Sequence, residues 1–215
     1  MTTRIIVMAK VPEPGRSKTR LCPPLTHEMA AAVAEASLMD TMDAVTEAAT
    51  VPPVLALDGA PRPWPVEGFE LITQRGRGLA ERLAAAFEDV GGPALLIGMD
   101  TPQITPGLLR AATLMLEADD CDAVFGPAID GGWWALGLRN PDPRVFVGIP
   151  MSSAFTGAMQ RLRLADLGLR FRTLPFLLDV DRIEDAQAVA AETPGSRFAA
   201  QLGRCLGEAA VARAR

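Results

Sequence analysis

The chain has 215 residues, of which 49% are hydrophobic and 22% are charged, and its formal net charge is −5. This composition is typical of a folded globular protein and excludes intrinsic disorder and fibrous or collagen-like classes. A chain with a net negative charge lacks the broad cationic face that general nucleic-acid binders need, so we expect no nucleic-acid partner. No apolar run approaches the roughly 18 residues that span a bilayer, so we expect a cytoplasmic protein without a membrane span.

Short apolar segments alternate with amphipathic segments along the chain, which predicts alternating strands and helices. The predicted strands cover residues 4–9, 53–57, 69–73, 94–99, 122–128, 133–138 and 171–174. The predicted helices cover residues 26–49, 78–90, 105–118, 152–167 and 182–190, with one more at the C-terminus. This alternation favours one α/β domain, residues 1–215, with a mostly parallel central sheet covered by helices on both faces.

Three unusual segments, PEPGRSKTR, MDTP and DVD, each follow an apolar segment that is predicted to be a strand or extended. Open α/β sheets bind their ligands outside the carboxyl ends of their strands. We therefore expect the functional site where these three segments converge.

The loop after the first strand reverses the charge of the chain locally. Four cations stand there against one acid: Lys10, Arg16, Lys18 and Arg20 against Glu13. Pro14 and Gly15 bend the loop, and glycine lets the backbone approach a ligand closely. The pattern predicts phosphate binding, with Lys18 and Arg20 offsetting charge on phosphate oxygens during transfer. The alternative is a basic loop that is merely solvated.

A second basic, glycine-rich segment, Gln74-Arg75-Gly76-Arg77-Gly78, joins a predicted strand to a predicted helix. Gln74 carries the donor and acceptor groups that are needed to recognise the edge of a nucleobase. The alternative is a solvent-facing turn in which the arginines have no ligand.

Carboxylates predict a divalent metal, Mg²⁺ or Mn²⁺, because these ions prefer hard oxygen ligands and often bridge carboxylates to phosphates. Asp100 follows the strand ALLIGM directly. In the segment LLDVD, alternation puts Asp179 and Asp181 on one face and Val180 on the other. The alternative is that these aspartates cap the helix at 182–190.

The segment Asp130-Gly131-Gly132 is typical of a turn between two strands, which is the alternative to a ligand-binding role. Trp133 and Trp134 are typical of strand packing first and of a stacking wall second. The single histidine, His27, has no nucleophile nearby in sequence, so a Ser-His-Asp or Cys-His site is disfavoured.

Five ordered motifs carry a resemblance: MAKVPEPGRSKTRL, QRGRGLAERL, IGMDTP, GPAIDGGWWALGL and LPFLLDVD. Together they resemble the bacterial arsenosugar-biosynthesis-type (DUF2064-like) glycosyltransferases, which implies the GT-A fold of nucleotide-diphospho-sugar transferases. The first motif also resembles the loop of 2-phospho-lactate guanylyltransferases, which transfer a nucleotidyl group on the same fold.

The resemblance implies a role for each matching residue. The nucleotide would be contacted by Lys10, Pro14, Gly15, Lys18, Arg20, Gln74 and Gly78. Asp100 would be the principal metal ligand, together with Asp179 or Asp181. The acceptor would be bordered by Asp130, Gly131, Gly132 and Trp133.

These observations predict a metal-dependent transferase in which Lys18, Arg20 and Asp100 carry the chemistry. Its partners would be a nucleotide or nucleotide-sugar donor and a small-molecule acceptor. Glycosyl transfer from a nucleotide-diphospho-sugar is favoured over nucleotidyl transfer from a triphosphate, and a non-catalytic nucleotide-binding module is a third alternative. The oligomeric state stays open, with a homodimer as one alternative.

Overall fold

The computed structural model of the chain describes residues 2–62, 64 and 67–213. The strands in this part of the chain are β1 (Arg4–Lys10), β2 (Val54–Asp58), β3 (Glu70–Thr73), β4 (Ala94–Ile97), β5 (Ala123–Pro127), β6 (Trp133–Leu138) and β7 (Phe171–Thr173). The α-helices are α1 (His27–Ala48), α2 (Leu79–Val90), α3 (Pro106–Glu117), α4 (Thr156–Asp166), α5 (Ile183–Glu192) and α6 (Arg197–Arg213). Short 3₁₀ turns cover Thr19–Leu21 and Pro143–Phe146.

The strands form one seven-stranded sheet in the order β3-β2-β1-β4-β6-β5-β7. Strand β6 runs antiparallel to β4 and β5, and the other neighbouring strands pair in parallel. The predicted α/β fold with a mostly parallel sheet is therefore confirmed. The two strands that flank the Asp-Gly-Gly turn pair with each other as an antiparallel hairpin.

Alternation along the strands divides the core into two layers, one on each face of the sheet. Residues such as Val7 in β1 pack in the layer that contains the apolar sides of α1 and α3. Their neighbours Ile6 and Met8 pack in the opposite layer with Phe87 of α2. The prediction of helices on both faces is confirmed.

Side-chain caps fix where two helices begin. Thr26 accepts a hydrogen bond from the Met29 backbone N at 3.3 Å, and Thr105 accepts one from Leu108 N at 3.2 Å, before Pro106 at the first helical position. Each cap pairs a backbone N–H group that has no partner within its helix. Both predicted helix starts are confirmed.

The predicted start of the fourth helix at residue 152 is wrong, because α4 begins at Thr156. Ser152 has a left-handed backbone with φ 58, which a helix does not allow. The Thr156 hydroxyl accepts from Ser153 N at 3.1 Å and donates to Pro150 O at 2.6 Å. Such local bonds from serine and threonine compete with helix formation, so residues 152–155 form a turn.

None of the helices in the described residues is long and apolar enough to cross a membrane.

Candidate active site

A cavity of about 650 Å³ lies at the edge of the sheet where β1 and β4 end and β6 begins. It brings together eight of the residues that the sequence predicts for the site: Lys18, Arg20, Asp100, Asp130, Gly132, Trp133, Asp179 and Asp181. Six other predicted residues do not line it: Lys10, Pro14, Gly15, Gln74, Gly78 and Gly131. Two of the four cations of the first loop and the carboxylates of three later segments thus share one space.

Lys18 extends from the first loop to the end of β4. Its ammonium lies 2.6 Å from Asp100 Oδ1 and donates to the backbone carbonyl of Val180, and its side chain is only 11% exposed. The residue itself has a left-handed backbone with φ 49, immediately before the Thr19–Leu21 turn. A left-handed lysine is sterically unfavourable, and such conformations cluster at functional sites, where surrounding contacts hold them in place.

Asp100 is held by the backbone around it. The buried Ser37 hydroxyl of α1 donates to Met99 O at 2.6 Å, and the backbone carbonyl of Asp100 accepts from Val180 N at 2.9 Å. These bonds fix the end of β4 relative to α1 on one side and to the DVD segment on the other. The backbone that carries the Asp100 carboxylate is therefore held in place.

The DVD segment alternates as the sequence predicts. Val180 borders the cavity but is fully buried in a cluster with α5 and α6, whereas Asp179 and Asp181 line the cavity and are only half-buried. Gln103 also holds the segment, because its side-chain amide donates to Leu178 O at 2.8 Å. Asp181 forms an ion pair with Arg20, which joins the segment to the first loop.

The alternative role of these aspartates, capping α5, is not what the structure contains. Arg182 occupies the N-cap position, and its backbone N donates to Asp185 at 2.7 Å. Asp185, within the helix, therefore satisfies the exposed N–H group at this end.

Asp179 is the most perturbed carboxyl group of the cavity. Burial, followed by the negative charges of Asp100 and Asp130, raises the pKa of Asp179 to about 7, although the ammonium of Lys18 acts in the opposite direction. Carboxylates that crowd together in a buried place disfavour one another's ionisation, and the ammonium of Lys18 offsets this only in part. The cavity is therefore arranged to attract positive charge.

The donor set of the cavity fits a hard divalent cation, because it consists of carboxylate oxygens. In this structure the positive charge next to Asp100 is the ammonium of Lys18. Across the residues with described positions, no three acidic, histidine or cysteine side chains are already gathered as a metal site. A metal ion at Asp100 would compete with the Lys18 ammonium for this carboxylate.

The Asp-Gly-Gly segment forms the predicted turn, and part of it also lies at the cavity. Asp130 Oδ1 accepts from Gly132 N at 2.8 Å, which closes the turn, and Asp130 also lines the cavity. Gly131 has φ +91, and a side chain there would collide with the carbonyl of Ala154. Gly157 N donates to Gly131 O at 2.8 Å. The turn is thereby fixed to the beginning of α4.

Two predicted nucleotide contacts are engaged within the protein. The Gln74 amide nitrogen donates to Ala9 O at 2.8 Å and to Ala56 O at 2.9 Å, so it ties β1 to β2. The Lys10 ammonium donates to Arg16 O at 2.9 Å and so braces the first loop. Both side chains support the loops around the cavity in this structure.

The cavity also contains residues that the sequence analysis missed. Apolar side chains form part of its lining, and we call them the apolar wall: Met8, Leu79, Leu83, Leu96 and Met151, together with Trp133, which the sequence analysis did predict. Another missed residue is Thr101, directly after Asp100, whose position beside a metal-site candidate was a usable signal. Ser152 and Ser153 also line the cavity, and their proximity to Pro150 was a signal for a loop.

The fold and parts of the sequence match known proteins. The chain is 31% identical over 140 residues to a 2-phospho-L-lactate guanylyltransferase of Haloarcula marismortui, and the match covers 63% of this chain and 62% of that protein's length. A candidate nucleotide-diphospho-sugar transferase of Desulfovibrio desulfuricans is 25% identical with a TM-score of 0.83 over 95% of both chains. The Rv0371c protein of Mycobacterium tuberculosis, solved in a complex with manganese, is 21% identical with a TM-score of 0.51 over 88% of this chain and 98% of that one, and shows a shared fold.

A family model matches residues 41–153, which is more than half of the chain and includes Asp100 and the Asp-Gly-Gly turn. The predicted family resemblance is therefore confirmed. The chain belongs to the bacterial family described as "Uncharacterized protein conserved in bacteria (DUF2064)".

Proposed function

We propose that this protein is a metal-dependent transferase that uses a nucleotide-activated donor, and that it transfers a glycosyl group from a nucleotide-diphospho-sugar. The observation that carries this proposal is the single cavity shared by Lys18 and Arg20 with Asp100, Asp179 and Asp181. Cations and carboxylates at strand ends are the two components that hold a metal–diphosphate complex. The likeness to the Desulfovibrio protein supports the sugar-transfer form of the proposal.

Asp100 and one or both aspartates of the DVD segment would hold Mg²⁺ or Mn²⁺. When bound, the ion would supply positive charge that offsets the negative charge of the donor phosphates. In this proposal Lys18 and Arg20, now paired with Asp100 and Asp181, shift to the phosphates of the leaving group. The protein contributes mainly positioning and electrostatic stabilisation.

The donor nucleotide would extend from the cavity towards the first loop, past Pro14 and Gly15, and towards Gly78 at the start of α2. We propose that Gln74 contacts the base through its carbonyl oxygen, since its amide nitrogen is engaged with Ala9 and Ala56. Lys10 would act through the loop that it braces.

In the transfer step, the acceptor hydroxyl oxygen forms a bond to the anomeric carbon of the sugar. The bond between that carbon and the phosphate oxygen breaks, and its electron pair leaves with the nucleoside diphosphate. The acceptor proton passes to a cavity carboxylate, and Asp130 is our candidate because it lies in the turn that leads directly into Trp133 of the apolar wall.

Nucleotidyl transfer from a triphosphate is the second candidate function. The observation that favours it is the sequence match to the guanylyltransferase of Haloarcula marismortui. In that reaction the acceptor attacks the α-phosphate and pyrophosphate leaves. The same residues would hold the phosphates, but the product would differ.

A panel of nucleoside triphosphates and nucleotide sugars with Mn²⁺ or Mg²⁺ tests the proposal. Because a ligand that binds the folded state raises its melting temperature, thermal shifts identify the donor first. Release of nucleoside diphosphate from a bound nucleotide sugar supports glycosyl transfer, whereas release of pyrophosphate supports nucleotidyl transfer. Tight binding without either product supports a non-catalytic module, and no metal-dependent shift with any donor contradicts the proposal.

A further inference from the structure

The lining of the cavity contains two groups of side chains with different chemistry. The charged group, which we call the charged wall, consists of Lys18, Arg20, Asp100, Asp130, Asp179 and Asp181. Most of the apolar wall belongs to the core layer that packs on α2. The apolar wall faces the same space with side chains from β1, α2, β4, β6 and the loop before α4. Leu79 of this wall is 45% exposed, so it offers apolar surface to a ligand in the cavity. The two walls therefore suit different parts of the substrates.

The positive charge of the cavity is limited. Among the described residues that line it, Lys18 and Arg20 are the only cations, and each is already paired with a carboxylate. Two cations face four carboxylates, so a single divalent metal ion would only balance the formal charge. The donor phosphates would pair with these cations and the metal ion. No positive charge would then remain to pair with an anionic group at the apolar wall. An anion buried without a partner is strongly unfavourable.

Two hydrogen-bond donors of the cavity residues lack partners. Trp133 Nε1 and Thr101 Oγ1 are buried, and neither has a hydrogen-bond partner among the described residues. Thr101 as a whole is only 1% exposed. Buried polar groups are almost always paired, and an indole N–H can only donate. A small rearrangement of the lining would let a neutral ligand oxygen, such as a hydroxyl or ether oxygen, pair with these groups without bringing a charge.

We infer that the acceptor is a neutral hydroxyl compound with an apolar body that packs on the apolar wall, and not a phosphorylated molecule. This inference rests on the proposed function, and it names the class of acceptor for the same site. It separates this chain from the guanylyltransferase of Haloarcula marismortui, whose name specifies a phosphorylated substrate. It also favours glycosyl transfer, because a neutral hydroxyl is a suitable glycosyl acceptor.

A matched pair of probes tests the inference: benzyl alcohol, which is neutral, and benzyl phosphate, which has the same body with an anionic group. The observable is the indole N–H signal of Trp133 in the ¹⁵N-labelled full chain, assigned with Trp133→Phe among the three tryptophans. Both probes are titrated with and without Mg²⁺ and pyrophosphate, which stands in for the donor phosphates. We expect a saturable shift with benzyl alcohol and binding of benzyl phosphate that is weaker by about tenfold or more.

A charge placed on the apolar wall should reverse this preference. Leu79→Arg introduces a cation at an exposed position, so benzyl phosphate should now bind more tightly than benzyl alcohol. Leu162→Arg is the matched control, because Leu162 is 57% exposed on α4 and does not line the cavity. The control should keep the preference of the wild type. If Leu79→Arg does not give a folded spectrum, Met151→Arg replaces it.

Equal or tighter binding of benzyl phosphate by the wild type, or the absence of a Trp133 shift with benzyl alcohol, overturns the inference. Failure of the proposed function has a different signature. In that case Mg²⁺ and pyrophosphate leave the spectrum of the wild type unchanged, or change it equally in Lys18→Ala, whatever the two probes do.

Discussion

At the edge of the sheet where β5 begins, Asp122 accepts hydrogen bonds from Arg170 at 2.8 and 2.9 Å, and the Arg170 side chain lowers the pKa of Asp122 to about 2. At the opposite edge, Asp179 faces Asp100 and Asp130 and is buried, and its pKa rises to about 7. The same residue type is thus stabilised in its charged form at one edge and destabilised at the other. Crowded carboxylates persist where a cation is to be bound, at a cost in stability.

The largest expected effect is on metal binding at the crowded edge. Asp100→Asn removes the carboxylate that follows β4 while keeping its shape. We expect metal-dependent donor binding to weaken by about 100-fold or more, because a hard cation loses a charged oxygen ligand. Isothermal titration with Mn²⁺ and the donor measures this. Asp122→Asn is the matched control and should leave binding unchanged, so equal behaviour of the two variants would refute the assigned site.

Substitution of Lys18 or Arg20 in the first loop should have the next largest effect. Lys18→Ala and Arg20→Ala should each weaken phosphate affinity by about 1–3 kcal/mol, because each removes a charged contact. Pyrophosphate binding with Mg²⁺, measured by calorimetry, gives this number. Arg75→Ala is the control, since Arg75 pairs with Glu88 and Asp89 of α2. A loss with Arg75→Ala as large as that with Lys18→Ala would contradict the distinction between the two basic segments.

The pH dependence of stability should reflect Asp179 in the metal-free protein. Its pKa is raised in the folded state to about 7 from 3.8, so the folded state binds the proton more tightly than the unfolded state. The stability that this proton confers is complete below about pH 4 and is lost as the pH rises through about 7. Asp179→Asn should therefore be more stable than the wild type at pH 8, by on the order of 2 kcal/mol after allowance for solvent in the cavity.

Denaturant unfolding of the wild type and Asp179→Asn at pH 4.5 and pH 8, with EDTA, measures this difference. The gap between the two proteins should narrow at the lower pH. It should also close when Mn²⁺ is added at pH 8, because a bound cation compensates the carboxylate charge in the wild type. A variant that is less stable than the wild type at pH 8 without metal would contradict the electrostatic picture.

The smallest expected effect is at the ion pair of Asp122 with Arg170. Here the pH dependence of stability is opposite in sign to that expected for Asp179. The pKa of Asp122 is lowered in the folded state, so its contribution to stability is present above about pH 4 and is lost as the pH falls through about 2. Asp122→Asn should lower the melting temperature by about 1–3 °C at pH 7, because exposed ion pairs stabilise weakly. The difference from the wild type should shrink in acid, as melting curves at pH 7 and pH 3 can establish.

Much of the fold follows from interactions within a few residues. The spacing of apolar residues predicts the strands and helices, and Thr26 and Thr105 mark two helix starts through caps that depend only on the following turn. The wrong prediction of a helix at residues 152–155 also has a local cause. There the Thr156 hydroxyl bonds to the backbone of Ser153 and Pro150 in place of helical bonds, and the spacing of apolar residues does not indicate this.

The candidate site was predictable only in part. Asp100, Asp179 and Lys18 stand out because their segments interrupt apolar strands, and these residues do share a cavity. Met8 and Leu79 resemble ordinary core residues in sequence. They lie together in the apolar wall because the end of β1 is near the start of α2. These two segments are far apart in the sequence.

The sequence by itself determined the alternation of strands and helices, the local reversal of charge in the first loop and the positions of the aspartates along the chain. Only the tertiary structure decided that Lys18 reaches Asp100, that Arg75 contacts the end of the helix that follows it, and that Gln74 joins two strands. The physical reason is the distance along the chain over which each interaction acts. Periodicity and capping act between neighbours in the chain, whereas the partner of a long charged side chain depends on which strands lie side by side.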